Sequence, residues 1–182
     1  MKLFVTSDTH GKIEAAARAC MQYEGIDMIV HLGDYIRDAK RLSSMLGIPV
    51  KAVRGNCDGA MTKAGSETVL DTEYGKILLT HGHMYSVYYD PLKLLLECRE
   101  KGYRAAFFGH THVAFTETDD GITLLNPGSL TNPRDGRGGS YAVADVTADR
   151  LDIDLVFPNE PKKKPRARGG YLRKIMNYSD GQ

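Results

Sequence analysis

The chain has 182 residues, of which 42% are hydrophobic and 26% charged, with a formal net charge of +1. That is long enough for one domain with a real core and ordinary for a globular protein. No apolar run approaches the roughly 18 residues of a membrane span, and the apolar stretch at the N-terminus is too short for a signal peptide.

Charge is unevenly spread. Residues 158–182 carry seven Lys/Arg and two Asp/Glu, which leaves the body at −4. A mildly acidic body argues against a dedicated nucleic-acid surface on the fold itself. The three cysteines, Cys20, Cys57 and Cys98, are odd in number and form no CxxC pair. They suggest neither a disulfide framework nor a zinc ribbon, and a reducing cytoplasm is the simplest setting.

In chain order, Lys2 to Ser7 reads as a buried strand. Ile13 to Tyr23 reads as a helix with Ile13, Ala16, Ala17, Cys20 and Met21 on its inner face. Ile26 to Leu32 is a second strand, Tyr35 to Leu46 a helix stopped by Gly47 and Pro49, and Val50 to Val53 a third strand. Such a βαβαβ opening predicts a parallel sheet with helices packed on it. Glu67 to Glu73 and Lys76 to Thr80 predict a hairpin around Tyr74-Gly75. A helix follows, with Asp90 as N-cap, Pro91 in the first turn, Leu92, Leu95 and Leu96 facing inward, and Gly102 as the stop. Arg104 to Phe108 is a further strand. The rest is β-rich: Val113 to Thr118, a turn at Asp120-Gly121, Ile122 to Leu125, Ser140 to Val146 and Leu151 to Phe157, the last two alternating as half-buried antiparallel strands do. Residues 158–182 are rich in lysine and proline at their start and predict a mobile basic tail, with the stretch from Tyr171 to Tyr178 left open.

Potential metal ligands recur where predicted strands end. Asp8 and His10 follow the first strand, Asp34 the second and Asn56 the third. His81 follows the strand ending at Thr80, and His110 and His112 follow the strand ending at Phe108. A single Asp there is usually a turn residue, and a single His usually a hydrogen-bonded core residue. Seven donors at five strand ends of an open α/β sheet instead predict one site, because ligands gather at that edge. Mixed imidazole and carboxylate donors suit Mn, Fe, Zn, Ni or Co. Two divalent ions bring +4 and Asp8 and Asp34 return −2, so the site stays positive and favours a phosphate ester.

The motifs Asp8-x-His10, Gly33-Asp34, Gly55-Asn56-Cys57-Asp58, His81-Gly82-His83 and Gly109-His110-Thr111-His112, with Asn126-Pro127-Gly128-Ser129 and Pro133-Arg134, resemble the calcineurin-like metallophosphoesterases. Within that superfamily they are most similar to the small bacterial and archaeal phosphodiesterases of the YfcE type. The resemblance runs from residue 1 to about 157. It implies a four-layer α/β/β/α sandwich with mixed sheets. It implies two divalent metals, commonly manganese or nickel. One would be bound by Asp8, His10, Asp34 and His112, the other by Asp34, Asn56, His81 and His110, with Asp34 bridging. It further implies a bridging hydroxide attacking a simple phosphodiester, and dimers occur in this branch.

One departure concerns the proton for the leaving group. Related branches place a histidine after the metal-binding asparagine, where this chain has Cys57, a poor substitute for a charged imidazole. His83 is the candidate to bind phosphate or deliver a proton; orienting His81 is the alternative. Cys57 itself reads as packing. Arg134 is either a fork for phosphate or half of a structural ion pair. His31 reads as a buried histidine in support of the ligands, and Asp58 as a turn cap. Tyr85, Tyr88 and Tyr89 either wall a substrate pocket or form a packing or dimer surface.

The basic run from Lys162 to Arg168 is either a solvated tail or a weak, salt-sensitive contact for nucleic acid, the former preferred. The leading function is a phosphodiesterase. The alternatives are a non-catalytic scaffold like the retromer subunit of this fold, or a nuclease; a phosphoprotein phosphatase is disfavoured by Cys57.

Overall fold

The computed structural model describes residues 1–59 and 62–159. The expected tail and the stretch from Tyr171 to Tyr178 therefore lie outside the described residues. Among the described residues, ten strands and three α-helices follow one another: β1 (Lys2–Thr6), α1 (Ile13–Cys20), β2 (Met28–His31), α2 (Ile36–Leu46), β3 (Val50–Ala52), β4 (Glu67–Thr72), β5 (Gly75–Thr80), α3 (Leu92–Lys101), β6 (Ala105–Phe107), β7 (Ala114–Asp119), β8 (Ile122–Pro127), β9 (Tyr141–Val146) and β10 (Leu151–Val156). The strands form two five-stranded sheets, in the orders β10-β9-β1-β2-β3 and β4-β5-β6-β8-β7.

Side chains alternate across each strand, and this period of two separates three apolar layers. Leu3 and Val5 of β1 meet Ile77 and Leu79 of β5 and Phe107 of β6 between the sheets. Phe4 and Ile29 point the other way, onto Ile13 and Ala16 of α1 and Leu42 of α2. Leu78, Ala106 and Leu124 point away from the first sheet, onto Leu94, Leu95 and Cys98 of α3. The result is helices, sheet, sheet and helix, the expected α/β/β/α sandwich, with both sheets mixed.

Two helix faces differ from expectation. Met21 is 73% exposed because α1 ends at Cys20, and the chain tightens into i→i−3 turns through Gln22 and Tyr23. In α3 the buried residues are Leu94, Leu95 and Cys98, whereas Leu96 is 51% exposed. Leucines at 92, 94, 95 and 96 do not fix the phase of a helix. Cys98, three and four residues beyond Leu95 and Leu94, does. The N-cap of α3 is Pro91, one residue later than expected; Asp90 precedes it, its Oδ1 accepting the Leu92 N–H at 2.9 Å.

Strand direction positions the site. β1, β2 and β3 are mutually parallel, and so are β5, β6 and β8. The loops leaving the carboxyl ends of these strands carry every predicted metal ligand.

Candidate metal centre

Five of the seven predicted ligands turn the chain through the left-handed region: Asp8 (φ 54°), His10 (46°), Asp34 (54°), His110 (70°) and His112 (59°). Non-glycine residues seldom adopt this conformation, which costs on the order of 1–3 kcal/mol each and collects at functional sites. Here it bends the chain sharply off each strand end. Glycine is needed where backbone passes under the bent residues. A Cβ at Gly55 would overlap Asp34 Oδ1, and one at Gly109 would overlap Ser7 Oγ and crowd Asp8 Oδ2 at 2.9 Å.

The carboxylates are deeply set, with Asp8 fully buried and Asp34 nearly so. Asp8 Oδ2 accepts hydrogen bonds from Ser7 Oγ at 2.6 Å and from the His110 N–H at 3.1 Å, which joins the loops of the two sheets. Asp8 Oδ1 is buried without a hydrogen-bond donor and faces His112 Nε2 at 3.2 Å. His112 Nδ1 lies 2.7 Å from the Asn132 carbonyl and must donate to it, which leaves the Nε2 lone pair pointing at Asp8. His10 Nε2 lies 3.4 Å from the same His112 nitrogen and 3.9 Å from Asp34 Oδ2. One donor atom from each of Asp8, His10, Asp34 and His112 falls within 4.8 Å of all the others.

Asp34 Oδ1 serves a second group. It accepts the Cys57 N–H at 2.9 Å and lies 3.4 Å from His81 Nε2. His81 Nδ1 donates to the Leu32 carbonyl at 2.7 Å, so its Nε2 lone pair faces both Asp34 Oδ1 and Asn56 Oδ1, the latter at 3.0 Å. The His110 ring stands 5.1 Å from that of His81, edge to face. Both groups thus gather oxygen and nitrogen lone pairs that repel one another when nothing lies between them. A cation in each would relieve this, and the orphaned Asp8 oxygen shows that the donor set fits one.

Electrostatics agree. Burial alone would raise the pKa of Asp8, but its contact with His112 and the hydrogen bond from Ser7 outweigh burial and lower it. His112 is raised by its contact with the Asp8 carboxylate, so a metal ion bound there would compete with a proton. His110 is lowered by burial and then by His81, which favours the neutral imidazole, the form able to bind a metal.

One support, Asp38, had no clear signal in the sequence, whereas His31 and Asp58 take the roles read there. Asp38, buried in the first turn of α2, accepts from Thr9 Oγ1 and the Gly11 N–H, each at 2.7 Å. His31 Nε2 lies 3.0 Å from that Thr9 hydroxyl, and its Nδ1 accepts the Gly33 N–H. Burial lowers His31 to about 4, so it stays neutral and braces the loops without facing the donor groups. Ser129 Oγ donates to the Asp8 carbonyl at 2.9 Å, and Asn126 Nδ2 donates to the Gly109 carbonyl at 2.8 Å. The Asn126-Pro127-Gly128-Ser129 segment therefore holds the backbone on either side of Asp8 and His110. Asp58 caps a turn, accepting the N–H groups of Ile36 and Gly55 at 2.7 and 2.8 Å.

The remaining candidates border the site. His83 packs its ring 5.4 Å from His81 and 6.1 Å from His110, with Nδ1 buried and unpartnered. Burial and the neighbouring His81 lower its pKa. Partial burial of the thiol and the adjacent Asp34 carboxylate push Cys57 up to about 11, so it offers no thiolate at neutral pH. The Arg134 guanidinium meets the Tyr88 hydroxyl, and the Tyr88 ring stands 5.1 Å from His110. Tyr85 donates to Glu67 at 2.8 Å, and Tyr89 is 88% exposed.

Residues 1–149 match the model of the calcineurin-like phosphoesterase superfamily domain. The chain belongs to this superfamily. It is 32% identical over 154 residues to the probable metallophosphoesterase YsnB of Bacillus subtilis, covering 84% of this chain and 89% of that protein. It is 29% identical over 170 residues to the phosphodiesterase YfcE of Escherichia coli, covering 80% and 88%. Among solved structures, Vps29 of Entamoeba histolytica complexed with zinc superposes with a TM-score of 0.70 at 21% identity, covering 86% and 98%; that likeness shows the fold alone. The chain is thus a member of a metal-dependent phosphoesterase family. Among the described residues, no helix is long and apolar enough to cross a membrane.

Proposed function

We propose that this protein is a phosphodiesterase with two divalent ions, manganese first among the candidates, working in a reducing cytoplasm. The carrying observation is the Asp34 carboxylate, whose Oδ2 faces His10 while Oδ1 faces His81. Asp8, His10 and His112 would share one ion with Asp34; Asn56, His81 and His110 would share the other. When bound, two such ions supply the hydroxide nucleophile and the positive charge for in-line displacement at phosphorus. Nickel, iron, zinc and cobalt suit the same donors.

The chain's own residues do the rest. Asp34 holds the two positions in register, and Asn56 adds a neutral oxygen that leaves the site positive enough to attract phosphate. Arg134 is free of carboxylate partners among the described residues and meets the hydroxyl of Tyr88, whose ring stands against His110, where a guanidinium can fork onto a phosphate. His83 presents a nitrogen at the edge of the second group and is assigned to bind phosphate or protonate the leaving oxygen. Replacing His83 by Ala is expected to slow a diester with an alkyl leaving group far more than one with p-nitrophenol, which departs without a proton. Equal losses on both would remove His83 from that role.

The deciding assay is turnover of diesters and monoesters by protein reconstituted with Mn, Ni, Fe or Zn, with Asp34→Asn as control. Diesters should be preferred, and the control should lose about a thousandfold or more, the scale on which electrostatic stabilisation of the transition state acts. Absence of turnover with every metal and ester would move weight to a non-catalytic scaffold, which the Vps29-like fold also accommodates.

A further inference from the structure

A cleft of about 250 Å³ opens beside the candidate metal centre, lined by Val87, Tyr88, Phe108, Thr111, Val113 and Phe115. Three features tie it to the site. Thr111 stands between His110 and His112 in the chain, and its hydroxyl accepts from Asn126, which also holds the Gly109 carbonyl. The Tyr88 ring lies edge to face against His110 at 5.1 Å, while the same residue's hydroxyl meets Arg134. Phe108, the last residue before the Gly109 turn, packs into both the α3 layer and the cleft wall.

The walls select their occupant by chemistry. They are apolar and aromatic, and the one charged lining residue, Asp90, is an anion that would repel a second phosphate. Another cleft touching the ligand loops, lined by Tyr35, Arg37 and Cys57, is polar by contrast. A cavity of about 150 Å³ holds a benzene ring, so this one suits a single or fused ring. It is too small to seat a helix, and a protein partner would need on the order of 1,000 Å² of surface.

Building on the phosphodiesterase reading, we infer that this cleft seats an uncharged aryl or nucleobase-like arm of the phosphoester, stacked against Tyr88 and Phe115 while the phosphate sits at the ligand loops. The site thereby prefers aryl-bearing phosphoesters to those with small alkyl arms.

Calorimetric titration of the manganese-loaded protein with methyl-, phenyl- and 1-naphthylphosphonate tests this without turnover. The two aryl compounds should bind at least about tenfold more tightly than methylphosphonate, from the apolar area they bury. The naphthyl fluorescence should shift as the ring leaves water. In Val113→Asp and in Phe115→Ser, each checked for retained manganese, the aryl-to-methyl ratio should fall towards one. Equal binding of all three compounds, or a ratio untouched by both substitutions, would overturn the inference and leave the phosphodiesterase reading standing. No binding of any phosphonate would overturn both.

Discussion

The two sides of the Asp34 carboxylate are built to different standards. On the Oδ2 side, Asp8 is fully buried and His112 nearly so, both are fixed by hydrogen bonds, and four donor atoms already converge. On the Oδ1 side, His81 is equally buried and anchored, but Asn56 is exposed and His110 is held through ring contacts with His81, His83 and Tyr88. In the proposed two-metal site the first position would be preorganised, whereas the second would be completed as an ion arrives. Affinity follows preorganisation, since less is lost in ordering the ligands. The first ion should therefore bind more tightly than the second.

Substitutions can break this ranking. The largest effect is expected from Asp8→Asn, which removes a buried carboxylate from the proposed donor set. The tight class of manganese sites in a calorimetric titration should weaken by more than the roughly 100-fold typical of losing an outer support. Asn56→Ala should weaken only the loose class, by about tenfold, with the tight class unchanged. Ser129→Ala, which removes the shorter of two hydroxyl donors to the Asp8 carbonyl, should cost about 1 kcal/mol of stability by denaturant titration and weaken the tight class only slightly. If Asn56→Ala struck the tight class harder than Asp8→Asn, the comparison would be reversed.

Much of this was legible in the sequence. Strand order along the chain, the seven donors at strand ends and the turn cap at Asp58 all follow from local patterns. The face of α3 did not, because four leucines in five positions fit more than one helical phase. Nor did the backbone at Asp8, His10, Asp34, His110 and His112, since a positive φ in Asp or His leaves no compositional trace. Asp38 illustrates a third limit. An acidic residue in a first helical turn reads as a dipole partner, and only the tertiary fold reveals that it is buried to brace Thr9 and Gly11. Such a brace depends on which loops meet in space, and a single sequence does not carry that information.

The central claim is that Asp34 joins two metal positions. It is tested most directly by crystals of the manganese-soaked protein, with anomalous diffraction collected at the manganese edge. The account predicts two peaks, one beside each carboxylate oxygen of Asp34, the peak near Asp8 and His112 reaching full occupancy at the lower manganese concentration. A single peak at saturating manganese, or two peaks that do not share Asp34, would contradict it.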